Sequence, residues 1–319
     1  MATPLLFVLE SRKVVLIIMR ERLAVALAAA LWGLIGLFVH GLVAAGLPPL
    51  AIVFTRAASS AFVLFGALAL CCPAALRFRP RHLLYFAGMG ALGLALPNWA
   101  YFTTISWASL SVAVAFLYTG PAFVVLLARI FFREPLCAAK VLALLFTTAG
   151  AALVAGIGEQ AGLRLSPLAF STGLLSGLGY ALYSIFGKFL NRHYPSLTVT
   201  AYSFLFAALV LLPVAPLSGI FRALSVPSAL ASVGALTLLA TVLPYWLYNS
   251  GLKGLEAGRA AILAALEPLV AALIGYLFLG DRLTSWQLAG FAAILVGAVL
   301  GTGTASSSTA SCPEPGAFN

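Results

Sequence analysis

The sequence predicts an all-α polytopic membrane protein with ten transmembrane helices arranged as two inverted five-helix repeats. Three observations predict it. First, 63% of the 319 residues are hydrophobic, only 8% are charged, and mean hydropathy is +1.10. Ordinary soluble domains carry about 25% charged residues, and no soluble core of this length absorbs so much apolar surface. Second, the apolar runs are continuous and close to the ~20 residues that cross a bilayer as a helix, unlike the short alternating segments of a β-barrel. Third, the chain repeats itself. Leu96-Pro97-Asn98-Trp99-Ala100-Tyr101 returns as Leu243-Pro244-Tyr245-Trp246-Leu247-Tyr248, an offset of 147 residues (243 − 96). The same offset carries Pro121 onto Pro268, Glu134 onto Asp281, Leu136 onto Leu283, Gly150 onto Gly297 and Gly156 onto Gly303.

Turn residues and charges divide the chain in order. Residues 1–22 form a cytoplasmic N-terminal segment, whose apolar stretches are cut by Glu10, Arg12 and Lys13 and are too short to span. No A-x-A cleavage site follows it, and Met19 offers an alternative start leading through Arg20-Glu21-Arg22 into the first span. The first repeat occupies 23–157, with spans at 23–43, 50–71, 83–104, 109–131 and 136–157. Arg77, Arg79 and Arg81 separate its second and third spans; the uncharged 105–108 barely separates the third and fourth. Arg133-Glu134 separates the fourth and fifth. An external linker, 158–166, precedes the second repeat at 167–303. Its spans fall at 167–188, 197–217, 228–250, 257–279 and 284–303, divided by Arg192, Arg222, Lys253 and Asp281-Arg282. The Ser/Thr-rich tail, 304–319, reads as disordered and cytoplasmic.

The basic residues orient the spans. With both termini in the cytoplasm, cytoplasmic segments hold 14 of the 18 Lys and Arg residues, and the external loops hold 3, namely Arg164, Arg222 and Arg282. Arg56 lies within a span. This bias follows the positive-inside rule and accounts for the formal charge of +10 without nucleic acid. Five spans per half is an odd number, so the second repeat enters the membrane inverted. Inverted repeats are the sequence mark of a transporter that exchanges two conformations around a central site.

Candidate site residues follow from depth. Pro121 and Pro268 sit roughly 11 residues into their spans, near the midplane at ~1.5 Å rise per residue. Each frees a carbonyl that lipid cannot satisfy, so each predicts a kink facing protein or water. Pro97 and Pro244 form a second matched pair. Glu267 is an acid deep in a span and reads as a proton-coupling group or a counter-charge for a substrate amine. Arg56 is the other intramembrane charge, placed to meet substrate or to snorkel outward. Midplane Trp32, Asn98, Trp99, Tyr118, Tyr180, Tyr183 and Tyr245 suit a pocket for a small amphipathic molecule. Gly173-x-x-x-Gly177 and Gly297-x-x-x-Gly301 read as helix-packing faces, the latter also a candidate homodimer face with the fifth helix; the chain is read as a monomer or homodimer. Cys71, Cys72, Cys137 and Cys312 lack metal-ligand spacing and read as small filler. No nucleotide-binding loop, catalytic set or metal motif occurs, so neither metal nor cofactor is expected.

Several of these residues together resemble the drug/metabolite transporter superfamily, specifically its ten-helix members with two EamA-type repeats. They are Trp32-Gly33, Arg56, Tyr118-Thr119-Gly120-Pro121 with Arg133-Glu134-Pro135-Leu136, and Leu266-Glu267-Pro268-Leu269 with Leu279-Gly280-Asp281-Arg282-Leu283. The resemblance covers about residues 22–303; Asp281 departs from it, since the family more often has Glu there. It implies a central cavity and movement of small organic metabolites, often export. Similar bacterial proteins export amino acids, including aromatic ones, across the inner membrane; others move nucleobases, sugars or cationic drugs. The expected function is therefore a secondary transporter of amino acids working by alternating access, with the first to fourth and sixth to ninth helices lining the cavity. A passive facilitator of the same fold is the alternative, and a lipid-modifying membrane enzyme lacks a catalytic set.

Overall fold

A computed structural model of the chain describes residues 3–156, 166–280 and 282–302. Residues 158–165 of the external linker, Asp281, Cys312 and the tail 304–319 lie outside the described residues. Among the described residues, eight helical segments are long and apolar enough to cross a membrane: α1 (Ile18–Ala44), α2 (Pro49–Cys71), α3 (Pro80–Trp107), α4 (Leu110–Phe132), α6 (Pro167–Asn191), α7 (Ser196–Val214), α8 (Pro227–Gly254) and α9 (Ala257–Phe278). Two shorter apolar helices, α5 (Ala138–Val154) and α10 (Ser285–Gly301), complete the ten. The helix leading into α1 is continuous from Thr3, so the charges at Glu10, Arg12 and Lys13 do not interrupt the backbone; Glu, Arg and Lys are good helix formers. The gap at 105–108 shrinks to Ala108-Ser109, where the Ser109 side chain caps α4 by accepting from the Val112 N–H at 3.3 Å.

Helix interruptions follow the repeat. α3 opens into a π-turn at Ala91–Ala95 just before Pro97, and α8 does so at Leu238–Val242 just before Pro244. Both pairs of boundaries differ by 147 residues (238 − 91 and 242 − 95). α4 breaks at Tyr118-Thr119 before Gly120-Pro121, and α9 breaks at Ala265-Leu266 before Glu267-Pro268. Proline suits the first turn of each new segment, where its missing N–H leaves no helical bond unmade. α1 breaks at Gly33-Leu34, without a proline. Left-handed residues also match: Arg133 ends α4 at φ 56° and Gly280 follows α9 at φ 77°. Glycine adopts this conformation freely, whereas Arg133 accepts a modest steric cost.

Lipid tails are as apolar as leucine, so close packing holds the helices together. α5 and α10 meet backbone to backbone. A Cβ on Gly150 would lie 2.7 Å from the Gly290 carbonyl oxygen, and one on Gly290 would lie 2.7 Å from the Gly150 oxygen. A Cβ on Gly297 would lie 2.8 Å from the Ala143 oxygen. The glycine face of α10 is thus consumed in packing against α5 within one chain. In α6, Gly173 and Gly177 admit Phe116 and Thr119 of α4. Large apolar side chains point outward instead, among them Phe62, Leu70 and Val299. Cys71 and Cys72 are free and exposed.

Candidate functional site

The broken helices enclose a cavity of about 650 Å³. Trp32, Arg56, Pro97, Asn98, Tyr118, Tyr180, Tyr183, Tyr245, Glu267 and Pro268 all line it. Pro121 and Pro244 are buried at the matching breaks but do not line it. Trp99 does not line the cavity and is 48% exposed. One residue rotates a helix by about 100°, so Asn98 faces inward while its neighbour faces lipid.

Four further polar residues line the cavity: Tyr101, Tyr248, Ser111 and Ser184. The repeat offered a signal for two of them, since Tyr101 and Tyr248 are equivalents within the motif that reveals the duplication. Aromatic rings form one wall. Trp32 meets Tyr245 edge-on at 5.0 Å and Tyr248 at 5.3 Å, and Tyr183 meets Tyr245 at 5.2 Å. Buried hydrogen bonds fix the rings: Tyr248 Oη and Ser184 Oγ lie 2.8 Å apart, and Asn249 Nδ2 donates to the Tyr183 hydroxyl at 2.7 Å. Asn98 Nδ2 donates to the Leu94 carbonyl within the π-turn, at 2.7 Å. The Trp32 Nε1–H is buried and has no protein partner.

The two intramembrane charges share this cavity. Glu267 stands beside Tyr118, and Arg56 beside Tyr245. Arg56 therefore points into the cavity rather than snorkelling to the surface. The ion pairs among the described residues involve Lys140, Glu134, Glu256 and Arg259, so Arg56 and Glu267 face one space without closing on each other.

Symmetric backbones carry asymmetric side chains. Where one half has Trp32, Gly33, Gly120 and Arg56, the other has Gly179, Tyr180, Glu267 and Ser203. The glycines make room: a Cβ on Gly120 would lie 2.6 Å from the Tyr180 ring, and one on Gly179 would lie 2.7 Å from Pro97.

The cavity walls run toward one face of the bundle, through Pro49, Ile105, Leu110, Ser111 and Ala155. The α5 terminus thus contributes, and no α7 residue does, contrary to the expected helix roles. α7 lies behind the wall, where Phe204 packs on Tyr245 at 4.9 Å.

The opposite face is closed by charged contacts between the halves. Glu134, turned inward by left-handed Arg133, accepts from the Ala257 and Gly258 N–H groups at 2.6 and 3.1 Å. A carboxylate suits a helix N-terminus, where backbone donors and the helix dipole converge. Lys140 bridges Glu256 at 2.8 Å and approaches Glu134 at 3.7 Å. Buried Lys188 donates to the carbonyls of Leu252, at 2.7 Å, and Leu255, completing the end of α8.

Known proteins share this architecture. A profile of the EamA-like transporter family matches residues 19–156 and 168–302. An uncharacterized transporter of Archaeoglobus fulgidus is 31% identical over 87% of this chain and 94% of its own. The threonine/homoserine exporter RhtA of Escherichia coli is 30% identical over 66% of this chain and 68% of its own. The uncharacterized inner membrane transporter YicL of Salmonella typhimurium is 28% identical over 68% of this chain and 71% of its own. A solved crystal structure superposes with a TM-score of 0.74 at 21% identity, covering 88% of this chain and 96% of that one, and so shares the fold. With both repeats matched and ten apolar helices in place, the chain belongs to the EamA-like transporter family and is a multi-pass membrane transporter.

Proposed function

We propose that this transporter exports a small zwitterionic metabolite of the amino-acid class across the inner membrane by alternating access. One observation carries the reading: Arg56 and Glu267 face a single aromatic cavity without pairing. A guanidinium suits a substrate carboxylate and a carboxylate suits an ammonium; a zwitterion between them would neutralise both charges. Trp32, Tyr180, Tyr183 and Tyr245 would enclose the rest, and Asn98 and Tyr118 would orient it. RhtA, a relative named as a threonine/homoserine exporter, supports the same class. With both termini cytoplasmic, as the charge bias supports, the Glu134 contacts would lie inside and the cavity mouth outside. The chain would then be outward-facing, and the repeats 23–157 and 167–303 would rock about the breaks at Pro97, Pro121, Pro244 and Pro268.

The test is ligand-induced thermal stabilisation of the purified protein, followed by uptake into proteoliposomes. A ligand at 100 times its dissociation constant stabilises by about 2.7 kcal/mol. An amino acid should stabilise, while its N-acyl and amide derivatives, each lacking one charge, should not. Arg56→Gln should abolish discrimination against the amide, and Glu267→Gln discrimination against the N-acyl form. Equal stabilisation by all three would reject a charge-pair site. If Glu267 also carries the coupling proton, Glu267→Gln should remove pH-gradient dependence; unchanged dependence excludes that role. Accumulation against a gradient separates this reading from a passive facilitator.

A further inference from the structure

On the face closed by Glu134, two sets of basic side chains differ in their partners. Lys140 and Arg259 pair with acids, and Lys188 caps carbonyls. The second set makes no ion pair among the described residues. Arg77 and Arg79, on the α2–α3 loop, and His193, on the α6–α7 turn, line a recess of about 500 Å³ whose other walls include Phe78 and Tyr194. No Asp or Glu lines this recess, and neither arginine forms an ion pair among the described residues.

The recess is built on fixed backbone. Tyr194 Oη accepts from the Arg79 N–H at 3.0 Å and lies 2.7 Å from His82 Nδ1. Thr198 and Tyr202 of α7 donate to the carbonyls of Ala75 and Leu76 at 2.8 and 2.7 Å. The loop is thereby pinned to α7, and its two guanidiniums are carried on an anchored segment. Flanking its loop along the chain, Leu70 at the end of α2 and Leu84 at the start of α3 are 87% and 80% exposed. The recess therefore sits where the apolar surface of the bundle gives way to its polar end.

We propose that this recess is a binding site for the phosphate of an anionic phospholipid, held by Arg77, Arg79 and His193, with the acyl chains along Leu70 and Leu84. Guanidiniums match phosphate oxygens in a bidentate fork, and basic pockets at helix ends take anionic headgroups. The adjoining apolar side chains select a lipid over a free phosphate ion. The site is separate from the central cavity and shares no lining residue with it.

Binding is read on the full-length protein by native mass spectrometry and thermal stability, with phosphatidylglycerol, phosphatidylcholine and inorganic phosphate as probes. Phosphatidylglycerol should be retained and should raise the melting temperature, with the effect falling as salt rises. Arg77→Gln/Arg79→Gln should weaken its retention at least tenfold, and Arg222→Gln, an exposed arginine at the other face, should not. Both loop arginines are exposed, so the double variant is expected to fold; Arg77→Gln alone should show an intermediate loss. Unchanged retention by either variant would overturn the site. Equal effects of phosphatidylcholine, or of inorganic phosphate at matched concentration, would overturn the anionic-lipid assignment.

Discussion

Glu134→Gln isolates the contact that closes one face of the bundle. The carboxylate takes two backbone N–H groups at the start of α9, from Ala257 and Gly258, and is only 7% exposed. Glutamine keeps one acceptor oxygen but turns an amide N–H toward the other backbone donor. One charge-assisted bond, worth about 1.5–3 kcal/mol, is lost, and so is a carboxylate–dipole attraction of about 0.3–1 kcal/mol. Taking about 2–3 kcal/mol in all, the closed arrangement should weaken roughly 30- to 150-fold relative to an open one. Amide hydrogen exchange in the first turn of α9 reads this directly. Amides of Ala257 and Gly258 should exchange faster by up to that factor, and those of the α5–α10 contact should not change. Glu134→Ala should go further, because it leaves both donors bare. Unaltered exchange at Ala257 and Gly258 in a folded variant would refute the closing role. Equal acceleration throughout the chain would show general destabilisation instead.

Three other substitutions probe the packing and the cavity wall. Gly120→Ala puts a methyl 2.6 Å from the Tyr180 ring, whereas Gly36 has nothing within 4 Å of its added Cβ. Gly120→Ala should cost about 1–3 kcal/mol of stability as overpacking and weaken substrate binding by displacing Tyr180; Gly36→Ala should be neutral, and equal melting temperatures would contradict this. Lys188→Met removes the buried donor to Leu252 and Leu255 and should cost about 1–3 kcal/mol through the stranded carbonyls; an unchanged melting temperature would show that the cap contributes nothing. Trp99→Ala should leave ligand stabilisation intact while Trp32→Ala lowers it, and the reverse order would displace the site from the central cavity.

Composition and repetition made the fold legible. Ten apolar runs in two copies leave few other solutions, because a backbone in lipid must satisfy its hydrogen bonds within each helix. The proline pairs marked where helices break, since proline cannot donate and cannot continue a turn. Repeat arithmetic also exposed the asymmetry of the site, with Glu267 opposite Gly120. What the sequence could not determine was the direction of each side chain. π-turns at Ala91–Ala95 and Leu238–Val242 change the phase of the helices that follow. Asn98 is thereby turned inward and Trp99 outward. Depth along a span is additive and can be counted; rotation depends on every break before the residue. For the same reason only tertiary structure brought Arg56 and Glu267, which are distant in sequence, to one cavity. It also turned Glu134, which the sequence presents as an ordinary loop acid, onto the first turn of α9, because that contact depends on how two inverted halves meet.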